Sequence, residues 1–253
     1  MPMNAAKLLL LNVLGGGAAF SPLDISGLAL WLDASDSATL FQDSAGTTPA
    51  TADNDVVGYW GDKSGNARHA TQATTANKFT LKTAYKNGLN VLGLDGGDVL
   101  STPALSFDLF TVFIVFRATG TPGLLYEQST NANTKNGSYL YTTTSATTHV
   151  RRTSNYAGDY INNWGMDGAW RVAAHTYMRT AMTLHVNGVS VLGALSGTPS
   201  AVVATDNLYV GARNGPIAGT TGHFAEFILY AQALDAAQRL SVEAYLNAKW
   251  GVY

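Results

Sequence analysis

Carboxylates, imidazoles and hydroxyls are the side chains that could carry chemistry in this chain, and their spacing limits what that chemistry can be. The 253 residues hold three glutamates, Glu127, Glu226 and Glu243. Cleaving a glycosidic bond takes two carboxyl groups flanking it, and on a strand they alternate onto one face, as in E-x-D-x-E. No such motif occurs, and Glu226 has no acidic residue two or four positions away. Five histidines, His69, His149, His175, His185 and His223, stand singly, without the H-x-H or H-x-x-x-H spacing of a zinc site. There is no G-x-S-x-G elbow, and Gly15-Gly16-Gly17 lacks the Lys and Ser/Thr of a phosphate loop. We assign no catalytic residue and read the chain as a non-enzyme. Calcium is the one metal worth weighing, because Asp53, Asn54 and Asp55 are hard oxygen donors, with Asp62 and Asn66 nearby. Asp, Asn and Gly also form turns unaided, so Asp53 and Asp55 are weak Ca²⁺ candidates and no cofactor is expected.

The richest recognition chemistry lies between Tyr139 and Trp170, where Tyr139, Tyr141, Tyr156, Tyr160, Trp164 and Trp170 sit among Asn, Thr, Ser and Gly. Tyr and Trp present flat apolar faces with a polar tip, suited to sugar rings and to protein interfaces alike. Tyr139, Tyr141 and Trp170 read as core-strand residues. The stretch 155–168 reads as an exposed loop. The candidate glycan- or partner-binding residues are therefore Tyr156, Tyr160 and Trp164, with Arg151 and Arg152. A partner contact is the preferred use, a sugar site the second.

The elements that must position these residues are mainly strands. Charged residues make up only 13% against 46% hydrophobic, and 26 glycines suit tight turns between short strands. A net charge of −2 lacks the basic excess of a nucleic-acid binder. The absence of cysteine excludes disulfides and thiolate metal sites. Predicted strands include Leu28 to Asp33, Thr111 to Arg117, Trp170 to Tyr177, Leu208 to Arg213 and Phe224 to Tyr230. Asn187-Gly188 marks a hairpin, because this pair accepts the positive φ angles of a type I′ turn. Asp235 and Gln238 form a capping box for a final helix. In that helix Val242, Leu246 and Trp250 make one apolar stripe, and Gly251 stops it.

The ending resembles the C-terminal signature of bacterial and phage LamG-like, concanavalin A-like jelly rolls, through Gly222, Glu226, Tyr230, Tyr245, Leu246, Lys249, Trp250 and Gly251. The loop YWGDKSGNARHATQ is similar to a second family motif through Trp60, Asp62, Ser64, Gly65, Asn66, His69, Ala70 and Gln72. ALWLDASD, LNVLGLDGGDVLSTP, LHVNGV and LYVGAR match further strands in order, over roughly nine tenths of the chain. The resemblance implies an all-β jelly-roll sandwich over residues 24–253 with a C-terminal helix, and makes Glu226 a structural strand residue. The fold hosts lectins, glycosidases, adhesins and phage virion proteins, so it says little about activity.

Residues 1–23 differ from the rest. Leu8, Leu9, Leu10, Leu11, Val13 and Leu14 form an apolar run broken by Asn12, too short to span a membrane. It reads as an arm that buries itself on another surface, with the triple glycine as hinge. An added strand or helix of its own domain, or a signal peptide with Lys7 before it and Gly17-Ala18-Ala19 behind, are the other readings. With the phage resemblance, the arm points to a non-enzymatic virion protein: a capsid decoration, head-fibre or tail-appendage subunit. Such a subunit would be assembled in the bacterial host cytoplasm, and its expected partners are other virion proteins and copies of itself. The alternative is a lectin or receptor-binding module for a bacterial surface polysaccharide.

Overall fold

The computed structural model describes residues 19–120, 122–128, 137–142, 147–153, 160–163, 167–179, 181–191 and 205–253. Among these, eighteen strands form two nine-stranded sheets, and every strand pairing is antiparallel. The back sheet runs in space Val189–Ser190, Met182–Val186, Trp170–Tyr177, Phe110–Ala118, Thr221–Tyr230, Leu89–Asp95, Phe79–Lys86, Val56–Val57, with Leu28–Asp33 paired to the second half of Thr221–Tyr230. The front sheet runs Tyr160–Asn163, Thr147–Thr153, Gly137–Thr142, Leu124–Gln128, Asn207–Val210, Leu100–Ala104, Ala70–Thr71, Tyr59–Trp60, Leu40–Phe41. One apolar core lies between the sheets, around Trp60, Phe79, Phe116, Tyr126, Phe224 and Phe227. A second lies on the other side of the back sheet, where Phe113, Val115, Val172, Ile228 and Tyr230 meet the helix Ala236–Trp250. Phe110–Ala118 is buried on both sides, which is why it reads as an unbroken apolar run rather than an alternating one.

Most local expectations from the sequence hold, although the strand expected over Leu208 to Arg213 runs Asn207–Val210 and stops at Gly211, whose φ is 94°. Leu28–Asp33 and Trp170–Tyr177 have the predicted bounds, and Asn187 and Gly188 turn the hairpin with φ of 51° and 76°. Asp235 and Gln238 close their capping box, and Val242, Leu246 and Trp250 are fully buried. Gly251 caps the helix at φ 59°. Gly222 is fixed by a close approach: a Cβ there would lie 2.0 Å from the carbonyl oxygen of Arg117.

Glu226 shows why the helix is needed. A register shift between Phe224 and Glu226 turns both Ala225 and Glu226 to the helix side. There the carboxylate accepts from Trp31 Nε1 (2.7 Å), Tyr245 Oη (3.0 Å), Trp250 Nε1 (2.7 Å) and Lys249 Nζ (2.8 Å). Asp33, its cross-strand neighbour, shares Lys249 at 2.7 Å and takes Lys63 at 2.9 Å. Burial and the charge of Asp33 raise the Glu226 carboxyl above its ordinary range. Burial also acts to raise Asp33, but Lys249, Ser35 and Lys63 overcome it and hold that carboxyl low. The motif loop after Trp60 is a latch of the same kind. Asp62 accepts from the backbone N–H groups of Trp31, Ser64 and Arg68, while Asn66 donates to the carbonyl of Leu28.

The apolar run Leu8–Leu14 lies outside the described residues. Phe20 packs beside Tyr245 and Tyr230 donates to the carbonyl of Pro22, so residues 20–23, at the end of the expected arm, belong to the packed body.

Candidate functional site

The outer face of the front sheet is the surface these elements leave open. Its strands are short, and their register builds one transverse row. Phe41 lies opposite Tyr59, Tyr59 opposite Thr71, Thr71 opposite Ser101, Ser101 opposite Tyr209, and Tyr209 opposite Glu127. The alternate residues Leu40, Trp60, Ala70, Leu100, Val210 and Tyr126 point into the core, which turns this row outward. Phe41 meets Tyr59 edge-on at 5.4 Å, and Tyr59 stacks on His69 at 4.9 Å. Asp62 N–H donates to His69 Nδ1 (3.0 Å), which fixes the orientation of the imidazole and leaves Nε2 turned away from this bond. The latch loop thus sets the imidazole and, through it, the tyrosine.

Two hollows flank the Thr71–Ser101 pair. One, about 300 Å³, lies among Tyr59, His69, Thr102, Pro103 and Asn207. The other, about 350 Å³, lies among Gln72, Asn77, Tyr209, Asn214 and Pro216. Burial, and then the charge of Asp62, raises the Tyr59 phenol. Burial, and then Asp206 and Glu127, raises Tyr209. Both phenols therefore stay protonated at neutral pH and can donate as well as accept. The row closes over at its far end: Tyr209 is buried beside Val99 and Ala212, with access only from the second hollow, and Glu127 beyond it is fully buried and accepts from Arg213 Nε at 2.7 Å.

Of the candidate residues read from the sequence, Arg151, Arg152 and Tyr160 belong to strands of the front sheet. Tyr156 and Trp164 lie outside the described residues. Arg151 is opposite Tyr139, which is opposite Glu127, so Arg151 extends the same register row; Arg152 is opposite Ser138. Tyr160 corrects an expectation. It opens the strand Tyr160–Asn163, paired with Thr147–Thr153, and is not part of a loop, because the backbone from Tyr160 onward finds a free strand edge to bond. Asp53 and Asp55 serve their own turns: Asp55 accepts from the N–H groups of Thr51 and Ala52, and Asp53 from that of Thr83. Among the described residues no group of three or more His, Cys, Asp or Glu is placed to hold a metal ion. No helix of the described residues is long and apolar enough to cross a membrane. The residues that sequence reasoning missed are Phe41, Tyr59, Tyr209 and Glu127. Tyr59 stood inside the recognised loop motif, the one signal that could have found it.

A two-sheet antiparallel sandwich with one helix on its back and a polar, aromatic outer front face is the architecture of a lectin-type jelly roll. The family model described as the concanavalin A-like lectin/glucanases superfamily matches residues 94–238, more than half of the chain, and the protein belongs to that superfamily. No curated protein sequence matches it. Among solved structures, a sialidase from Trypanosoma rangeli in complex with the inhibitor DANA superposes with TM-score 0.59 at 13% identity, over 96% of this chain and 35% of that one. The protein thus spans about a third of the sialidase's length. Domain 4 of AbnA, a GH43 extracellular arabinanase from Geobacillus stearothermophilus solved with arabinotriose, matches with TM-score 0.56 at 16% identity, over 86% of this chain and 98% of that one. The binding domain of Paraclostridial Mosquitocidal Protein 1 matches with TM-score 0.60 at 13% identity, over 87% and 53%. At these identities the likeness is one of fold.

Proposed function

We propose that the protein is a carbohydrate-binding module that holds a glycan across the outer face of its front sheet without cleaving it. The observation that carries this reading is the row Phe41–Tyr59–Thr71–Ser101–Tyr209, with hollows on both sides. A sugar ring offers C–H faces to aromatic rings and hydroxyls to short polar side chains, and the row supplies both, with the pair Phe41 and Tyr59 beside the hydroxyls of Thr71 and Ser101. Asn77, Asn207 and Asn214 at the rims add amides that both donate and accept. The arabinanase domain, solved with arabinotriose, lends support from the same fold. Binding without hydrolysis is favoured because the row's one carboxylate, Glu127, is buried against Arg213 rather than facing a second carboxyl group about 5–9 Å away.

The test is a glycan array with the full chain, with and without calcium, followed by calorimetry on the best ligand. Tyr59→Ala should weaken binding about tenfold or more through the lost aromatic ring, in protein shown by its melting transition to remain folded. No glycan bound above background, or a ligand indifferent to Tyr59→Ala, would sink the reading.

A second reading is favoured by the apolar run Leu8–Leu14: a bacteriophage virion subunit, a capsid decoration, head fibre or tail appendage, assembled through that arm. Tyr156 and Trp164 would then serve subunit contacts. Under it, deletion of residues 1–18 yields a folded monomer from an assembling parent, measured by native mass. An unchanged oligomeric state in the deletion counts against it. The two readings are compatible in a virion protein that recognises a host surface glycan.

A further inference from the structure

The outer face of the back sheet carries a second polar surface past the end of the closing helix. Register aligns Thr80, Gly93, His223, Arg117 and Trp170 in one row across four strand pairings. Gly93 leaves room for Lys82, whose Cε lies 3.3 Å from where a Cβ would stand. Tyr85, 43% exposed, stacks one ring face on His223 at 4.4 Å, and its hydroxyl accepts from Arg117 Nη1 at 3.2 Å. Lys86 Nζ stands 6.0 Å from the Trp170 ring.

Most cations elsewhere are held by acids, apart from Arg68 and Lys78, which donate to the carbonyls of Ala29 and Gln42. Lys63, Arg171, Arg179, Arg213, Arg239 and Lys249 each pair with a carboxylate. Among the described residues Lys82, Lys86 and Arg117 pair with none, and contact only the neutral oxygens of Asn54, Gly251 and Gly168 besides the Tyr85 hydroxyl. Nδ1 of His223 is buried without a hydrogen-bond partner among the described residues. Burial, and then Arg117 and Lys82, pushes the imidazole down to about 4, so it stays neutral in this positive field. Lys82 and His223 open onto a cavity of about 460 Å³ that also exposes the hydroxyl-bearing side chains of Thr80, Thr119 and Thr221. The acids on its wall are engaged in a turn: Asp98 accepts from the N–H of Asp95, and Asp95 from that of Gly97.

We propose that this patch is a second ligand site, selective for a carboxylate-bearing sugar. The acid group sits between Lys82 and Arg117, the ring packs on the open face of Tyr85, and its hydroxyls reach the threonines. Charge complementarity chooses the acid: three cations without carboxylate partners on one face attract an anion, and an exposed ring beside them favours a cyclic one. The site lies on the opposite sheet from the proposed neutral-glycan face and does not depend on it.

Trigalacturonate and galactotriose, titrated calorimetrically into the full chain at low and high salt, separate the possibilities. Trigalacturonate should bind with an affinity that falls as salt rises, and galactotriose should not compete. Lys82→Glu and Tyr85→Ala, each checked by melting temperature, should each weaken trigalacturonate about tenfold or more, while Tyr59→Ala leaves it unchanged. Absence of trigalacturonate binding, or binding that survives both substitutions in folded protein, would overturn the proposal. Loss of trigalacturonate binding in Tyr59→Ala would overturn it too, by moving the acid sugar to the front sheet. Because Tyr59→Ala reads the front face separately, neither reading's failure can be mistaken for the other's.

Discussion

Glu226 and Glu127 hold comparable places on the two sheets. Each follows shortly after a register shift, between Phe224 and Glu226 in one case and between Leu124 and Tyr126 in the other. Each faces away from the central core and is buried. Their surroundings differ. Glu226 is roofed by a helix and accepts from two indoles, a phenol and an ammonium drawn from both ends of the chain. Glu127 lies under no helix and meets Arg213 from a neighbouring turn, at the end of a row that opens onto two hollows. A buried carboxylate is thus a keystone on one sheet and the floor of a surface on the other. What separates them is what lies above each: the helix Ala236–Trp250 covers Glu226, and the row that ends at Glu127 borders two hollows.

The contrast can be broken by isosteric substitution. Glu226→Gln replaces one acceptor oxygen by an amide that donates, and the donors it faces cannot all be satisfied. The expected loss is about 3–5 kcal/mol, read by chemical denaturation. A loss below about 1 kcal/mol would mean that the network is ornamental. Trp250→Ala tests the roof itself, and a cavity at a fully buried indole should also cost about 3–5 kcal/mol. A variant melting within a degree or two of the parent would refute the helix's closing role. At the Arg213 contact, Glu127→Gln should cost less, about 1–2 kcal/mol, because Arg213 keeps some exposure and can be solvated. Equal losses at the two glutamates would erase the distinction between the sheets.

The smallest effect is a pH dependence on the back sheet. His223 is lowered to about 4 from 6.5, chiefly by burial, so the unfolded chain binds more protons between these values. Its contribution to stability is complete above 6.5 and lost as pH falls through about 4. Asp98, raised to about 7 from 3.8 chiefly by burial, acts in the opposite sense: its contribution is complete below 3.8 and lost as pH rises through about 7. His223→Gln removes the first limb alone. Its stability relative to the parent should therefore improve as pH falls from 6.5 to 4, measured by urea titration at each pH. A constant difference would remove His223 from the account.

What the sequence disclosed follows from how local each signal is. The cap at Asp235, the turn at Asn187-Gly188 and the stripe Val242, Leu246, Trp250 depend on neighbours within one turn or hairpin, and all are present in the fold. The front row was hidden because its members come from strands of two to five residues far apart in the chain, joined only by register. Glu127 was hidden twice over, since every residue of Leu124–Gln128 is buried and the register shift cancels the alternation that would have marked its face. Tyr160 read as loop because Asn and Gly dominate around it, whereas pairing with Thr147–Thr153 is a tertiary fact.

The first strand finds its place only beside the last one. Trp31 and Glu226, bonded to each other, stand 195 residues apart, and Phe110–Ala118 also takes Thr221–Tyr230 as its partner. On a ribosome adding roughly 5–20 residues per second, Leu28–Asp33 would wait about 10–40 s for that partner to be made. Through that interval the apolar Phe110–Ala118 can pair with Trp170–Tyr177 but has an open edge on its other side. The protein's most exposed moment would thus come late in its own synthesis, when a chaperone holding Phe110–Ala118 would do the work that Thr221–Tyr230 later takes over.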